Sequence, residues 1–228
     1  MRTTRRGKVG RRRAIAVVGA ASAGIALGCG DSPTGPSDTV ATGGACAVTP
    51  SETIGPFPSL ADFFRSDVRE GKPGTLLTLT IKVVNVNSAC SALSGANVEI
   101  WHVDAAGNYS QYGSQSGQTF LRGIQTTSAA GEVTFTTIYP GWYAGRATHI
   151  HIEVTQNNRS IKATQIAFPE SINNAVHAQG AYLTGRGLNP MSNMADGIFA
   201  DSLSAELVTP SGTPAGGYTA SVQIGVSA

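Results

Sequence analysis

Leu77, Leu79, Ile81 and Val83 alternate with Thr78, Thr80 and Lys82, and this period of two recurs along the chain. Such alternation marks a strand with one face in a core and the other toward water. Between Asn97 and Val103, Val98 and Ile100 oppose Glu99 and Trp101. Val133, Phe135 and Thr137 alternate with Thr134 and Thr136, and further runs span His149 to Gln156, Ser160 to Phe168 and Tyr218 to Val226. Turn residues separate them, as in Asp104-Ala-Ala-Gly107 and Pro140-Gly141. Helical periodicity is scarce. Residues 59–69 and 170–179 have room for short helical turns, and 191–201 reads as an ordered loop. The expectation is an all-β protein, a β-sandwich with few short helices. A charged fraction of 13% and 28 glycines suit such a turn-rich fold.

The N-terminal region has a different character. Arg2, Arg5, Arg6, Lys8, Arg11, Arg12 and Arg13 are seven of the sixteen basic residues, and they precede an apolar run from Ala14 to Leu27. That run is too short to span a membrane and suits the core of a signal peptide. Its arginine-rich lead resembles a twin-arginine export signal, and Ala26-Leu-Gly-Cys29 resembles a lipoprotein box in which Cys29 takes the lipid. Residues 1–28 therefore read as a signal peptide and 29–45 as a flexible tether of Gly, Ser, Thr, Pro and Asp. Residues 46–228 have the length of one domain with a sizeable core. The expected location is exported, periplasmic or at the cell surface, with a membrane tether through lipidated Cys29. Cys46 and Cys90, in an oxidising compartment, are expected to form a disulfide. Beyond the signal, nine cations face fourteen carboxylates, an excess of five negative charges that disfavours nucleic acid as a partner.

Chemistry concentrates in Gly141-Trp-Tyr-Ala-Gly-Arg-Ala-Thr-His-Ile-His-Ile152. On a strand His149 and His151 project to one face, while Ile150, Ile152 and Val154 project to the other. Paired imidazoles are half of a metal site. Tyr143, beyond a turn, can bring a phenolate to the same end of the sheet, and Tyr109 offers a second. His102 reads as packing rather than a ligand, Trp101 and Trp142 as core or pocket wall, and His177, in a polar segment, as exposed.

Four blocks together resemble a known family. They are Thr49-Pro-Ser-Glu-Thr-Ile-Gly-Pro-Phe57, Ala96 through Tyr109, Phe120-Leu-Arg-Gly-Ile-Gln-Thr-Thr127, and Thr137-Ile-Tyr-Pro-Gly-Trp-Tyr143 through His151. In this order they resemble the intradiol ring-cleavage dioxygenases, the protocatechuate and catechol dioxygenases, in a short exported form. The resemblance implies a non-haem Fe(III) centre with Tyr109 and His149 as equatorial and Tyr143 and His151 as axial ligands. It places Arg146 over the substrate ring and Gln165 on the pocket wall, which with Tyr143 form the catalytic set. The implied reaction opens a catechol-type ring between its two hydroxyl-bearing carbons. Both atoms of O₂ enter the product, a cis,cis-muconate-type acid, and Tyr143 takes up a proton as the diol binds. The partners are thus a small aromatic diol and O₂, with no separate organic cofactor.

Two positions depart from the family pattern. Ala144-Gly145 follows the second tyrosine where protocatechuate enzymes often carry an aromatic, and Phe57-Pro58 replaces a tyrosine-containing pair at the mouth. Both weaken an assignment to protocatechuate and leave catechol, hydroxyquinol and lignin-derived diols compatible. Two readings of other classes stand beside the dioxygenase. One is a non-catalytic extracellular β-sandwich binding module of the transthyretin-like kind; the other is a secreted copper or zinc protein using the His-x-His pair.

Overall fold

The computed structural model describes residues 46–228. In chain order the strands are β1 (Leu76–Asn85), β2 (Ser91–Ala92), β3 (Asn97–Trp101), β4 (Arg122–Thr126), β5 (Glu132–Ile138), β6 (His149–Gln156), β7 (Arg159–Ala167), β8 (Ser211–Thr213) and β9 (Gly217–Val226). Three short helices follow β7: α1 (Glu170–His177), α2 (Gly180–Gly185) and α3 (Leu203–Glu206). One sheet runs β2-β1-β9-β8, with β5 also paired to β1 and β9 parallel to it. The other is antiparallel in the order β4-β3-β6-β7. The expected all-β sandwich is the observed fold. The segments assigned to the signal peptide and tether lie outside the described residues. No helix among the described residues is long and apolar enough to cross a membrane.

The alternating side chains meet between the sheets. Leu77, Leu79, Ile81 and Val83 of β1 and Val133 and Phe135 of β5 face Val98 and Ile100 of β3, Ile150, Ile152 and Val154 of β6 and Ile166 of β7 in one apolar cluster. Burying each such side chain contributes about 1.5–3 kcal/mol, so the stripe on β6 alone is a large share of the fold's stability. It also fixes the register: a slip of one residue on β6 would turn His149 and His151 inward and Ile150 and Ile152 outward.

Two expectations need correction. Residues 59–69 form no helix. Their backbone groups pair instead with the neighbouring sheets: Ile124 N–H donates to Phe63 O (2.7 Å), Arg65 N–H to Ile124 O (3.1 Å), Thr136 N–H to Ser66 O (2.8 Å) and Val68 N–H to Thr136 O (3.0 Å). Open strand edges offer those amides partners that an isolated helical turn would have to supply itself. His177 is not exposed. The last turn of α1 packs it against Tyr139 and Tyr182 with no surface exposed, and its Nε2 meets Pro140 O at 3.1 Å.

Cys46 and Cys90 are joined by a disulfide. It ties the start of the described chain to the turn after β1. From there residues 49–65 cross the outer face of the four-stranded sheet. Thr49 N–H donates to Gly225 O at 3.0 Å and Glu52 N–H to Ala163 O at 2.9 Å. Further along, Gln165 Nε2 donates to Thr53 O (2.9 Å) and Arg122 Nη1 to Phe57 O (3.0 Å). This strap closes over the part of the sheet that carries the histidines.

Candidate metal centre

One rung of the four-stranded sheet reads Arg122, Trp101, His151, Gln165 across β4, β3, β6 and β7. All four side chains share the outer face, beneath the strap. His149, two residues before His151 on β6, projects beside it, and the His149 and His151 Nε2 atoms stand 3.2 Å apart. Tyr109 reaches this pair from the loop after β3, its hydroxyl 3.5 Å from His149 Nε2. Tyr143 comes from the loop between β5 and β6, with ring centroids 5.6 Å from Tyr109 and 5.5 Å from His149. The structure thus gathers Tyr109, Tyr143, His149 and His151 at one end of the sheet.

Local sequence explains how the two tyrosine loops converge. Asp104 folds the first loop by accepting from Ala106 N–H (3.0 Å) and Asn108 N–H (2.9 Å) through one oxygen. Its other oxygen holds Lys72 at 2.8 Å. The loops then touch backbone to backbone. A Cβ at Gly107 would lie 2.3 Å from Trp142 O, and one at Gly141 would lie 2.2 Å from Asp104 O. Only glycine permits that approach, so these two positions set the tyrosine spacing.

The electrostatics keep donor lone pairs free at this point. Burial pushes the His149 imidazole down to about 3, aided by Arg146 and opposed by the Ala147 carbonyl. Burial, then His149 and Arg146, holds His151 well below the usual histidine range. Both rings are therefore neutral. Ala147 O lies 2.7 Å from His149 Nδ1, so that nitrogen carries the proton and Nε2 presents its lone pair to the cluster. Burial, then Tyr143, pushes the Tyr109 phenol well above 10. A phenolate there requires a strong Lewis acid close by. Two imidazole lone pairs and two phenol oxygens around one point, with neutral rings and buried walls, fit a hard trivalent ion. The histidine-only alternative fits less well. Of the chain's four histidines, His102 has both ring nitrogens engaged, near Val103 O (2.9 Å) and Thr137 Oγ1 (2.8 Å), and His177 lies under Pro140. Among the described residues no group of three or more His, Cys, Asp or Glu has metal-holding geometry.

Arg146 lies at the edge of this cluster. Its Nη1 is 3.4 Å from the Tyr143 hydroxyl, its Nη2 donates to Gln165 Oε1 at 2.5 Å, and its Nε donates to Asp196 Oδ2 at 2.8 Å. The same Asp196 oxygen accepts from Ala147 N–H at 2.8 Å, and Oδ1 accepts from Ile198 N–H at 2.9 Å. Burial would raise Asp196, but these donors outweigh it and hold the carboxylate below its ordinary value. Sequence reasoning missed Asp196 because it sits in the aperiodic stretch 191–201, where no pattern marks it. It also missed Arg122, which is fully buried. Arg122 Nε donates to Ser110 Oγ (2.9 Å) and Nη2 to Ser110 O (2.8 Å), and its guanidinium packs 5.7 Å from the Tyr109 ring centre.

A cavity of about 220 Å³ opens beside Tyr109 and Tyr143, lined also by Phe57, Asn108, Tyr112 and Gln115. Phe57 stacks on Tyr109 at 4.7 Å, and the Tyr112 hydroxyl donates to Pro58 O at 2.7 Å. Its lining carries no formal charge. Ala144 and Gly145 are exposed and leave their side of the mouth open.

A family model described as Dioxygenase matches residues 58–176, more than half of the chain and a span that holds all four converging side chains. The chain belongs to the intradiol ring-cleavage dioxygenase family. Among solved structures, an intradiol ring-cleavage dioxygenase from Tetranychus urticae is 28% identical with a TM-score of 0.74, covering 79% of this chain and 95% of that one. The dioxygenase domain of a dioxygenase carbohydrate-binding protein fusion from Streptomyces sp. SirexAA-E is 26% identical with a TM-score of 0.55, covering 78% and 97%. Catechol 1,2-dioxygenase from Pseudomonas arvilla C-1 shares the fold, with 19% identity, a TM-score of 0.57, and coverage of 78% and 62%. No curated protein matches the sequence.

Proposed function

We propose that this family member is a non-haem Fe(III) dioxygenase that opens catechol-type rings between the two hydroxyl-bearing carbons. The observation that carries the reading is the convergence of two phenol oxygens and two imidazole Nε2 atoms on one buried point beside Arg146. Tyr109, Tyr143, His149 and His151 would hold the iron. When bound, ferric iron supplies the Lewis acidity that draws electron density from a bound diol and primes its ring toward O₂.

The chain's own residues do the rest. Tyr143 is half-buried at the cavity wall, where its oxygen can take a proton from an incoming diol and swing toward Arg146. The Arg146 guanidinium, clamped by Asp196 and Gln165, presents a fixed positive charge to negative charge developing on the ring. Such preorganised charge in a dry site is worth far more than the same charge in water. Gln165, itself held by Thr53 O, fixes Nη2 of Arg146 and closes the wall. Phe57 and Tyr112 cover the mouth with apolar surface and exclude water. The uncharged cavity favours catechol, hydroxyquinol or another neutral diol over a carboxylated ring. Export through residues 1–28 and lipidation at Cys29 are part of the same proposal, and the disulfide supports an oxidising compartment.

The test is direct. Iron-loaded protein should be red-brown from tyrosinate-to-iron charge transfer and should consume O₂ with neutral catechols to give ring-opened dicarboxylates. Tyr109→Phe and Tyr143→Phe should each change the band. A pale protein that retains no iron, or two variants with the unaltered spectrum, would overturn the ligand assignment.

A further inference from the structure

Three buried polar atoms on neighbouring positions of the outer sheet face have no hydrogen-bond partner: Glu99 Oε1, Trp101 Nε1 and His151 Nδ1. Their placement is not scattered. Glu99 and Trp101 are two apart on β3, so they share the face, and Trp101 lies opposite His151 on β6. The Trp101 and His151 rings stack with centroids 4.8 Å apart and planes within 2°. Glu99 lies opposite Glu153, two residues past His151. Glu99 and His151 are therefore diagonal neighbours, a separation of roughly 7–8 Å between Cα atoms that long side chains cover.

The chemistry of the three atoms is complementary. An indole N–H can only donate and a carboxylate oxygen accepts. If His151 Nε2 faces the metal, its proton resides on Nδ1, which becomes a second donor. Metal-ligating imidazoles nearly always pass that second N–H to a carboxylate, a carbonyl or water, which fixes the ring and raises its donor strength. His149 does so with Ala147 O. His151 Nδ1 has no partner, and the buried unpartnered acceptor on the same sheet face is Glu99 Oε1. The ring cannot turn to seek another. A Cβ at Gly55 would lie 2.9 Å from His151 Cε1, so the strap backbone closes one side while Trp101 closes the other.

We propose that Glu99 is the positioning residue for His151, its carboxylate oxygen accepting from the His151 Nδ1–H when the metal holds Nε2. The inference rests on the ferric reading above and assigns a role to a residue that reading does not use. Ser59, Arg122, Glu153 and Asp62 all lie within electrostatic reach of the Glu99 carboxyl.

The experiment compares wild type, Glu99→Gln, Glu99→Asp and Glu153→Gln, each loaded with ferric iron and challenged with citrate as competing chelator. Iron retention and the position of the charge-transfer band are the readouts. Glu99→Gln should hold iron about 10–100-fold more weakly, with a displaced band. Glu99→Asp should recover part of both, and Glu153→Gln, which removes the neighbouring carboxylate on the same face, should match wild type. Glu99→Gln with wild-type retention and an unmoved band would overturn the inference while leaving the ferric reading intact. A colourless wild type would instead sink the ferric reading. Should Glu99→Gln not fold, wild-type protein loaded with diamagnetic gallium(III) decides by ¹⁵N NMR. A His151 Nδ1 proton protected from exchange supports the assignment, and rapid exchange with solvent contradicts it.

Discussion

Asp196 receives the Arg146 Nε–H and the Ala147 amide on a single oxygen, and that shared grip fixes the guanidinium relative to the start of β6. Asp196→Asn keeps the volume but removes the charge that orients Arg146. Hydrogen bonds to charged groups contribute about 1.5–3 kcal/mol, which corresponds to a roughly ten- to hundred-fold loss in kcat/KM if the clamp serves the reaction. Because Asn can still accept the Ala147 N–H, the fold should survive, and oxygen-uptake kinetics beside an unchanged melting curve would check both halves of the prediction. At this scale, what the sequence discloses has a clear boundary. His149 and His151 are visible in it because a two-residue period puts them on one face. Tyr109, Tyr143, Arg146 and Gln165 are visible through motif order. Asp196 and Glu99 are not. Asp196 acts from a loop with no period, and Glu99 resembles any solvent-facing residue of an amphipathic strand until the strap is seen to cover it.

The elements show the same division for a physical reason. The runs at 76–85, 132–138, 149–156, 159–167 and 217–226 are legible because one face of each packs into the core and the other does not. Strand β4 is not, since Arg-Gly-Ile-Gln-Thr buries residues on both faces under the strap and shows no alternation. The strap itself imitates short helical turns in sequence because its hydrogen-bond partners are remote along the chain. Helix α1 falls within the span its sequence marks, yet His177 lies on the opposite side from the one expected, as a short polar helix does not reveal which face meets the sheet. Strand β6 carries the greatest burden, with a core face of Ile150, Ile152 and Val154 and a site face of His149 and His151. Ile152 is fully buried, and Ile152→Ala should cost about 2–5 kcal/mol in urea unfolding. The same variant should weaken iron retention, because loosening the inner face frees the outer one. A variant that loses that stability yet binds iron as tightly as wild type would show the two faces to be independent.

Two forces act on the molecule as a whole. The Cys46–Cys90 disulfide closes a sequence separation of 44 residues, and its removal should cost about 2–4 kcal/mol, seen as a lower denaturant midpoint after reduction. The other is a balance of buried titrations in the metal-free protein, in which histidines and carboxyls pull in opposite directions. Burial lowers His102 to about 4 and His149 to about 3, and it lowers His151 and His177 as well. In the unfolded chain these rings titrate near 6.5. A depressed folded value means their contribution is present above 6.5 and is lost as pH falls toward 3 or 4, because the unfolded state binds protons the folded state refuses. Burial does the reverse to carboxyls. Glu206, nearly fully buried, is raised to about 7, with Glu52 and Asp201 nearby adding repulsion, and Glu99 is likewise raised to about 7. A raised folded value means the contribution is present below about 4.5 and is lost as pH climbs through 7. From pH 4.5 to 6.5 these four histidines outnumber Glu99 and Glu206, so stability should rise with pH. Above 6.5 the histidines contribute no further slope, and the carboxyls make stability fall until both are ionised. Denaturant midpoints measured from pH 4.5 to 8.5 should therefore pass through a maximum near pH 6.5. Glu206→Gln should flatten the alkaline side and leave the acid side as it was. A midpoint that climbs steadily through pH 8 would mean that Glu206 is ionised in the folded protein well below neutrality, and that the strap, which carries Glu52 past it, opens to water there.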